Sequence, residues 1–150
     1  MRYYIAYGSN MSVEQMAVRC PDAELIGTAV LDGWRLLFKN FATIEKKEGY
    51  STPVLVWRIS EGDEINLDHY EGYPSFYFKE TLPVRIRDVG GLSAGIQAMV
   101  YIMEPSRKEA PPTEYYYDVI RDAYRVFGLD MGILETALNE SREARYGRQG

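Results

Sequence analysis

The chain of 150 residues carries a formal net charge of −5, and 46% of its residues are hydrophobic and 26% charged. This length suits one domain with a hydrophobic core, and the acidic balance disfavours nucleic acid and anionic membranes as partners. No apolar run reaches the ~18 residues of a membrane-spanning helix, and the N-terminus shows no signal peptide, so we expect a cytoplasmic protein. Cys20 is the only cysteine, which excludes an internal disulfide and fits that location.

The first predicted elements are a strand over about residues 2–7 and a helix that begins at Ser12, with a Gly8-Ser9-Asn10 turn between them. Ser12 is followed three residues later by a glutamine, which is the spacing of a capping box. Such a turn exposes backbone N–H groups in a concavity that suits an anion or a developing oxyanion. Taken alone, the turn is more typical of an ordinary strand-to-helix connection.

Short strands separated by glycine turns dominate the middle of the chain. We predict strands over about residues 25–31, 34–38, 54–59, 76–87 and 96–103, an extended piece at 43–44 and turns at 32–33, 46–49 and 90–91. We predict helices over 63–70, 114–127 with Thr113 as its cap, and 130–143. Pro53 is placed at the beginning of the strand 54–59 rather than in its middle. Strands in the middle and helices at the end indicate an α+β fold whose short strands curl into a small barrel.

Glu71 is the candidate for proton transfer. It stands at the end of the helix predicted over residues 63–70, followed by Gly72 and Pro74 and surrounded by aromatic residues. A carboxylate among aromatic rings is partly desolvated, which raises its pKa and suits it to general acid–base chemistry near neutral pH. The alternative interpretation is a solvated carboxylate at a helix end.

His69 is the only histidine, which nearly excludes a zinc site with several histidine ligands. A serine hydrolase triad of Ser9, His69 and Asp68 is a further hypothesis, but Ser9 lacks the Gly-x-Ser-x-Gly pattern of a nucleophile elbow. We favour a surface position for His69 and a bracing or purely structural role for Asp68. The 13 tyrosines permit a pocket lined by phenols, and we expect at least one ring of residues 115–117 in the core.

Together, the two stretches resemble one known family. Tyr7-Gly8-Ser9-Asn10, followed mid-chain by Leu67-Asp68-x-x-Glu71-Gly72-x-Pro74-x-x-Tyr77, is similar to the motifs of the γ-glutamylcyclotransferase-like family, which includes the AIG2-like proteins. The likeness continues through Arg19-Cys20-Pro21-x-Ala23, Trp34-Arg35-Leu36-x-Phe38 and Val56-Trp57-Arg58-Ile59, and it covers the chain to about residue 138. We therefore expect a single domain over residues 1–150, with about 139–150 partly a C-terminal extension.

The resemblance implies an α+β fold, a small mixed β-barrel flanked by helices, with the loop and the glutamate at one cavity. It implies intramolecular aminolysis of a γ-glutamyl amide, in which the α-amine attacks the γ-carbonyl and releases 5-oxoproline and an amine. Glu71 is the implied general acid/base, and no metal, cofactor or covalent intermediate is required. The implied substrate-binding residues are Tyr7, Gly8, Ser9, Asn10, Met11, Tyr77, Tyr101 and Tyr116.

The implied partner is a small γ-glutamyl molecule rather than nucleic acid or a membrane, and the implied assembly is a monomer or a small homo-oligomer. The same chemistry places the protein among cyclotransferases, that is, acyltransferases or lyases that cleave an amide. An alternative function is a non-catalytic module that binds a small carboxylate or an amino acid in the same cavity.

Overall fold

The computed structural model describes residues 1–87 and 93–149. In chain order the elements of these residues are β1 (Arg2–Ala6), a 3-10 helix (Ser9–Met11), α1 (Val13–Arg19), β2 (Glu24–Lys39), β3 (Phe41–Ile59), α2 (Glu61–Glu71), β4 (Tyr77–Arg87), β5 (Ser93–Met103), α3 (Glu114–Phe127) and α4 (Met131–Gln149). The predicted α+β class is confirmed. The turn predicted at residues 90–91 lies outside the described residues.

The strands follow the spatial order β1-β3-β2-β4-β5, and β5 returns to β1. Long antiparallel ladders join β2 to β3 and β4 to β5, whereas β1 pairs with the second half of β3. The two remaining junctions are narrow, with Tyr4 opposite Met99 between β1 and β5 and Thr28 opposite Arg87 between β2 and β4. The predicted mixed sheet of five strands flanked by helices is confirmed. It is a barrel only in a loose sense, because a single residue pair joins the strands at each of these two junctions.

Four of the predicted extended segments belong to two long strands. The turn predicted at residues 32–33 is wrong, because β2 runs through it with Gly33 at a φ of 81°. Asp32 pairs with Ser51 and Trp34 pairs with Lys46, so residues 47–50 of β3 lie opposite Gly33 alone. Glycine suits the left-handed backbone of a bulge as well as that of a turn, which is why the sequence indicated separate strands.

The prediction that a strand begins at Pro53 is also wrong, because β3 passes through this residue and places it opposite Val30. A proline is tolerated in a strand where no neighbouring strand requires its missing N–H. β1 pairs only with residues 55–59 of β3, so Pro53 has a neighbouring strand on one side only. Pro53 therefore lies at an edge of the sheet, although the strand continues on both sides of it.

The ends of α2 place Glu71. The helix begins two residues before its predicted start, because Ser60 and Asp63 form a reciprocal capping box that includes residues 61 and 62. It ends at Gly72, whose φ of 64° lies in the left-handed region that favours glycine. Glu71 is consequently the last helical residue, as the sequence indicated.

The two C-terminal helices cover one side of the sheet's core. Thr113 and Gly128 cap α3 as predicted, and α4 continues beyond its predicted end at residue 143. Tyr124 of α3 and Leu134 of α4 are fully buried in the core that these helices share with the strands. Tyr117 is buried in the same core, which confirms the expected inward ring.

Arg35 is a buried cation that ties β2 to its surroundings. Its guanidinium donates to Glu45 of β3 at 2.8 Å, to Glu140 of α4 at 2.9 Å and to Glu109 of the connection before α3. Burial by itself lowers the pKa of Arg35, but the hydrogen bonds to Glu45 and Glu109 outweigh it and raise the pKa above its ordinary value. One cation thus holds three segments together.

We expect Arg35→Met to lower the free energy of unfolding by about 2–4 kcal/mol, because it leaves three clustered carboxylates without their cation. Arg58→Met is the matched control, since Arg58 pairs with Glu24 on the exposed surface and its loss costs at most about 1 kcal/mol. Urea unfolding at neutral pH measures both values. Equal losses in the two variants would contradict a structural role for the buried cluster.

Candidate active site

A cavity of about 200 Å³ lies where β1, the 3-10 helix, the end of α2 and the first residues of β3, β4 and α3 meet. Eight of the nine residues predicted for the site line it, all except Met11. The complete lining consists of Tyr4, Ile5, Tyr7, Gly8, Ser9, Asn10, Phe41, Ala42, Tyr70, Glu71, Phe76, Tyr77, Tyr101 and Tyr116. Two motifs about 60 residues apart in sequence are therefore neighbours in space.

The loop at the cavity is a 3-10 turn rather than the direct start of an α-helix. Met11 donates its N–H to the carbonyl of Gly8 at 3.0 Å, and its side chain is fully buried behind the loop. The α-helix begins only after Ser12, whose hydroxyl accepts from the Gln15 N–H at 3.3 Å. Within the described residues, the N–H groups of Ser9 and Asn10 have no hydrogen-bond acceptor, as expected for the first residues of a helix.

Close packing favours glycine at position 8. A Cβ atom at this position would lie 3.2 Å from the Ala42 Cβ and 3.2 Å from the Tyr116 hydroxyl oxygen. A larger residue would therefore require β3 or α3 to shift by a few tenths of an ångström at the wall of the cavity.

Glu71 is the only acidic residue in the lining. Among the residues that the structure describes, its carboxylate has no hydrogen-bond or ion-pair partner. Burial raises the pKa of Glu71 to about 7, and the more distant Arg19 charge opposes this shift. The group therefore exchanges a proton near neutral pH, which is the property expected of a general acid/base.

The phenols of the cavity differ in how their hydrogens are used. Tyr7 donates to the Tyr101 carbonyl at 2.6 Å, Tyr77 donates to the Ala42 carbonyl at 2.7 Å, and Tyr101 donates to Asp68 at 2.6 Å. These three hydroxyls are engaged in holding the walls of the cavity together. They stay neutral, because burial raises the pKa of each of them above its ordinary value.

Two further hydroxyls act as acceptors toward the protein. Tyr116 accepts from the Ala42 N–H at 3.1 Å, and Tyr4 accepts from the Asn10 side-chain amide at 3.0 Å. Burial also raises the pKa of both phenols, so each keeps its hydrogen at neutral pH. Ser9 is a further hydrogen-bond partner of the Tyr116 hydroxyl, so Tyr4 is the tyrosine best placed to donate to a ligand.

The residues of the proposed hydrolase triad are not assembled. His69 is exposed, as predicted, and does not line the cavity. Asp68 accepts from Tyr101 and from the Lys79 ammonium at 2.8 Å, which is the bracing role considered for it. Ser9 contacts Tyr70 rather than a histidine, with 3.3 Å between the two hydroxyl oxygens.

Sequence reasoning missed part of the site. Tyr4, Phe41, Tyr70 and Phe76 line the cavity but were not predicted there. The ring of Phe41 meets those of Phe76 and Tyr116 edge to face, with 5.3 Å between the centroids of Phe41 and Tyr116. The four missed residues lie on β1, β3, α2 and the connection before β4, so no single local pattern reveals their association. Tyr4, Tyr70 and Phe76 stand beside the two motifs in sequence, whereas Phe41 has no such signal.

The chain matches the sequence model of the family described as gamma-glutamyl cyclotransferase, AIG2-like, over residues 4–118. It belongs to this family. Over 130 residues it is 31% identical to the mouse protein named gamma-glutamylcyclotransferase, and over 129 residues it is 28% identical to the human protein of that name. Each alignment covers 78% of this chain and 66% of the relative, so the chain spans just under two thirds of these relatives.

Solved structures show the same fold. A gamma-glutamyl cyclotransferase superposes with a TM-score of 0.75 at 25% identity, and an uncharacterized human protein with 0.74 at 26%, each covering 91% of this chain and 85% of the other. YkqA from Bacillus subtilis superposes with a TM-score of 0.74 at 21% identity over 95% of this chain and 55% of its own. The predicted family is confirmed by the sequence match, and its fold by these superpositions.

No helix among the described residues has both the length and the apolar character to cross a membrane. Their histidine, cysteine and acidic side chains form no group of three or more that is arranged to hold a metal ion.

We expect Glu71→Gln to stabilise the folded protein at pH 8 but not at pH 4, because only the ionised carboxylate is disfavoured by burial. The folded pKa of about 7 exceeds the ordinary value of 4.5, so the free energy of unfolding falls as pH rises between these two values. The gain at pH 8 is at most about 3 kcal/mol, since one pKa unit corresponds to about 1.4 kcal/mol. Urea unfolding at both pH values measures it.

Glu143→Gln, on the exposed surface of α4, is the matched control and should change stability by less than about 0.5 kcal/mol at either pH. A Glu71→Gln variant whose gain is the same at both pH values would contradict a desolvated carboxylate.

Proposed function

We propose that this protein is a γ-glutamylcyclotransferase-type enzyme that cleaves a γ-glutamyl amide and releases 5-oxoproline and an amine. One observation carries the proposal: Glu71, with a pKa of about 7, lines one cavity with Ser9 and Asn10, whose N–H groups have no acceptor among the described residues. Membership of the gamma-glutamyl cyclotransferase family supports it.

In the proposed reaction, Glu71 takes a proton from the α-ammonium group of the substrate. The amine that results attacks the γ-carbonyl carbon, and a five-membered ring forms with a negative charge on the carbonyl oxygen. Protonated Glu71 then donates to the nitrogen of the leaving amine as the carbon–nitrogen bond breaks. Two protons pass in all from the attacking nitrogen to the leaving nitrogen, so the carboxylate returns to its starting state.

The remaining groups of the cavity bind and orient the substrate. The N–H groups of Ser9 and Asn10 and the hydroxyl of Tyr4 donate to its carboxylate and to the developing oxyanion, and the Tyr116 ring forms part of the wall. The ring closure is intramolecular, so holding the substrate in a folded conformation supplies much of the rate. Each step uses the side chains and backbone of this chain.

We also propose a substrate class, a cellular location and a catalytic unit. The substrate is a small γ-glutamyl molecule, the location is the cytoplasm, and the catalytic unit is a single domain over residues 1–150. Continuity of α4 supports a single domain, because Ala137 and Ser141 of that helix are buried on either side of the predicted start of the C-terminal extension.

We expect Glu71→Gln to lower kcat about 10²–10⁴-fold, the usual contribution of general acid–base catalysis, because an amide cannot carry the proton. Release of 5-oxoproline from a panel of γ-glutamyl amides measures the effect, with Glu143→Gln as the matched control. An active wild type with an equally active Glu71→Gln variant would refute the role of this residue.

A wild type without turnover on the whole panel would instead favour the binding module. In that case small carboxylates should raise Tm, and they should do so equally in the wild type and in Glu71→Gln.

We also expect kcat/KM of the wild type to rise with pH around a midpoint near 7, because only the ionised form of Glu71 accepts the first proton. The phenols of the cavity remain protonated throughout this range. Initial rates at subsaturating substrate between about pH 5.5 and 8.5 measure the midpoint. A rate that is independent of pH over that interval would argue against a carboxylate with this pKa.

A further inference from the structure

Arg19, the last residue of α1, contacts the cavity loop from outside the cavity. One of its terminal nitrogens donates to the side-chain carbonyl of Asn10 and lies 3.4 Å from the Ser9 hydroxyl. Its guanidinium carbon lies 3.5 Å from the centroid of the Tyr70 ring, which is a stacked cation–π contact. Arg19 itself is absent from the lining of the cavity.

The contact with Arg19 determines how the Asn10 amide is oriented. Arginine has only donors, so Asn10 must turn its carbonyl oxygen toward Arg19. The NH₂ group of the buried Asn10 side chain therefore faces Tyr4 and donates to its hydroxyl oxygen at 3.0 Å.

The orientation of Asn10 in turn determines what Tyr4 does with its hydrogen. A hydroxyl that accepts from an amide NH₂ does not donate to the same group, so the hydrogen must point elsewhere. Tyr4 is 3% exposed and lines the cavity, and no acceptor for its hydrogen is present among the described residues. An oxygen atom of a molecule bound in the cavity is the acceptor that remains.

We propose that Arg19 is a positioning residue: by orienting the Asn10 amide, it leaves the Tyr4 hydroxyl free to donate to a negatively charged oxygen of the substrate. Without Arg19, the amide is free to flip, and Tyr4 then donates to the Asn10 carbonyl instead of to a ligand. The proposal rests on the proposed function for its substrate, but the orientation of the amide follows from the contacts alone.

The positive charge of Arg19 gives a second, independent effect. It opposes the rise in the pKa of Glu71 caused by burial, and the other titratable groups that face Glu71 are the neutral phenols of Tyr4, Tyr7, Tyr77 and Tyr116. Loss of this charge moves the midpoint of the pH profile upward, whereas loss of stability alone does not move it.

The first experiment compares Arg19→Met with Arg19→Lys. We expect Arg19→Met to lower kcat/KM about 10- to 100-fold, the value of a hydrogen bond to a charged group, and to raise the pH midpoint. Lysine also has only donors and keeps the charge, so Arg19→Lys should recover activity to within about tenfold of the wild type and keep the midpoint. Arg58→Met is the control for removal of a surface arginine and should leave both kinetic values unchanged.

Asn10→Asp is a variant that keeps Arg19 in place. A carboxylate offers acceptors to both neighbours, so it retains the contact with Arg19 while it takes the hydrogen of Tyr4. We expect a Tm at least equal to that of the wild type together with a loss in kcat/KM of about 10-fold or more. This variant keeps the test decisive if Arg19→Met does not fold.

Nuclear magnetic resonance provides a readout that needs no turnover. In the wild type the Asn10 NH₂ protons should be protected from exchange with water by their bond to Tyr4, and Arg19→Met should remove this protection whereas Arg19→Lys should keep it. If no γ-glutamyl amide is cleaved, the proposed function fails and this measurement still decides the role of Arg19. The inference is overturned if Arg19→Met lowers Tm but keeps the kcat, KM, pH midpoint and amide protection of the wild type.

Discussion

The need of every buried polar group for a hydrogen-bond partner organises this cavity. Most of the groups around it satisfy one another: Tyr7 and Tyr77 are bonded to backbone carbonyls, and Tyr101 is bonded to Asp68. Among the described residues that line the cavity, the groups without a partner are the backbone N–H groups of Ser9 and Asn10, the hydrogen of the Tyr4 hydroxyl and the Glu71 carboxylate. A ligand that completes this set must offer several acceptors and one group that exchanges a proton with Glu71. A γ-glutamyl amide has both.

Glu71 also illustrates the energetic cost of such a site. A carboxylate without a partner destabilises the folded state above its pKa, and the rest of the chain offsets this with ordinary packing and with buried ion pairs such as those of Arg35. Arg35 and Glu71 are charged groups in opposite environments. Arg35 is surrounded by counter-charges and joins three segments, whereas Glu71 has no close partner among the described residues and its pKa is raised to about 7.

Local signals in the sequence predicted α2 and the position of Glu71 at its end, because capping residues and glycine stops act over only a few residues. The family was predicted from the order and spacing of the two motifs together. Local signals gave wrong strand bounds where pairing with a neighbouring strand determines the structure. Gly33 and Pro53 are typical of strand ends, but each lies within a long strand. Gly33 is accommodated by a bulge, where the register of β2 against β3 shifts. Pro53 is accommodated because β1 does not extend far enough to pair with it. Arg19 and four aromatic residues of the cavity, Tyr4, Phe41, Tyr70 and Phe76, were missed for the same reason. Their roles depend on contacts between elements that are distant in sequence.

The two caps of α2 make the length of this helix a constraint in its own right. Ser60 and Asp63 hold one end, Gly72 holds the other, and the Cβ of a larger residue at position 72 would approach the Phe76 Cβ to 3.1 Å. Insertion or deletion of one residue between these ends would turn the last side chain by about 100° around the helix axis. The number of residues between the two caps thus fixes the direction of the Glu71 side chain toward the cavity, independently of what the surface of the helix carries.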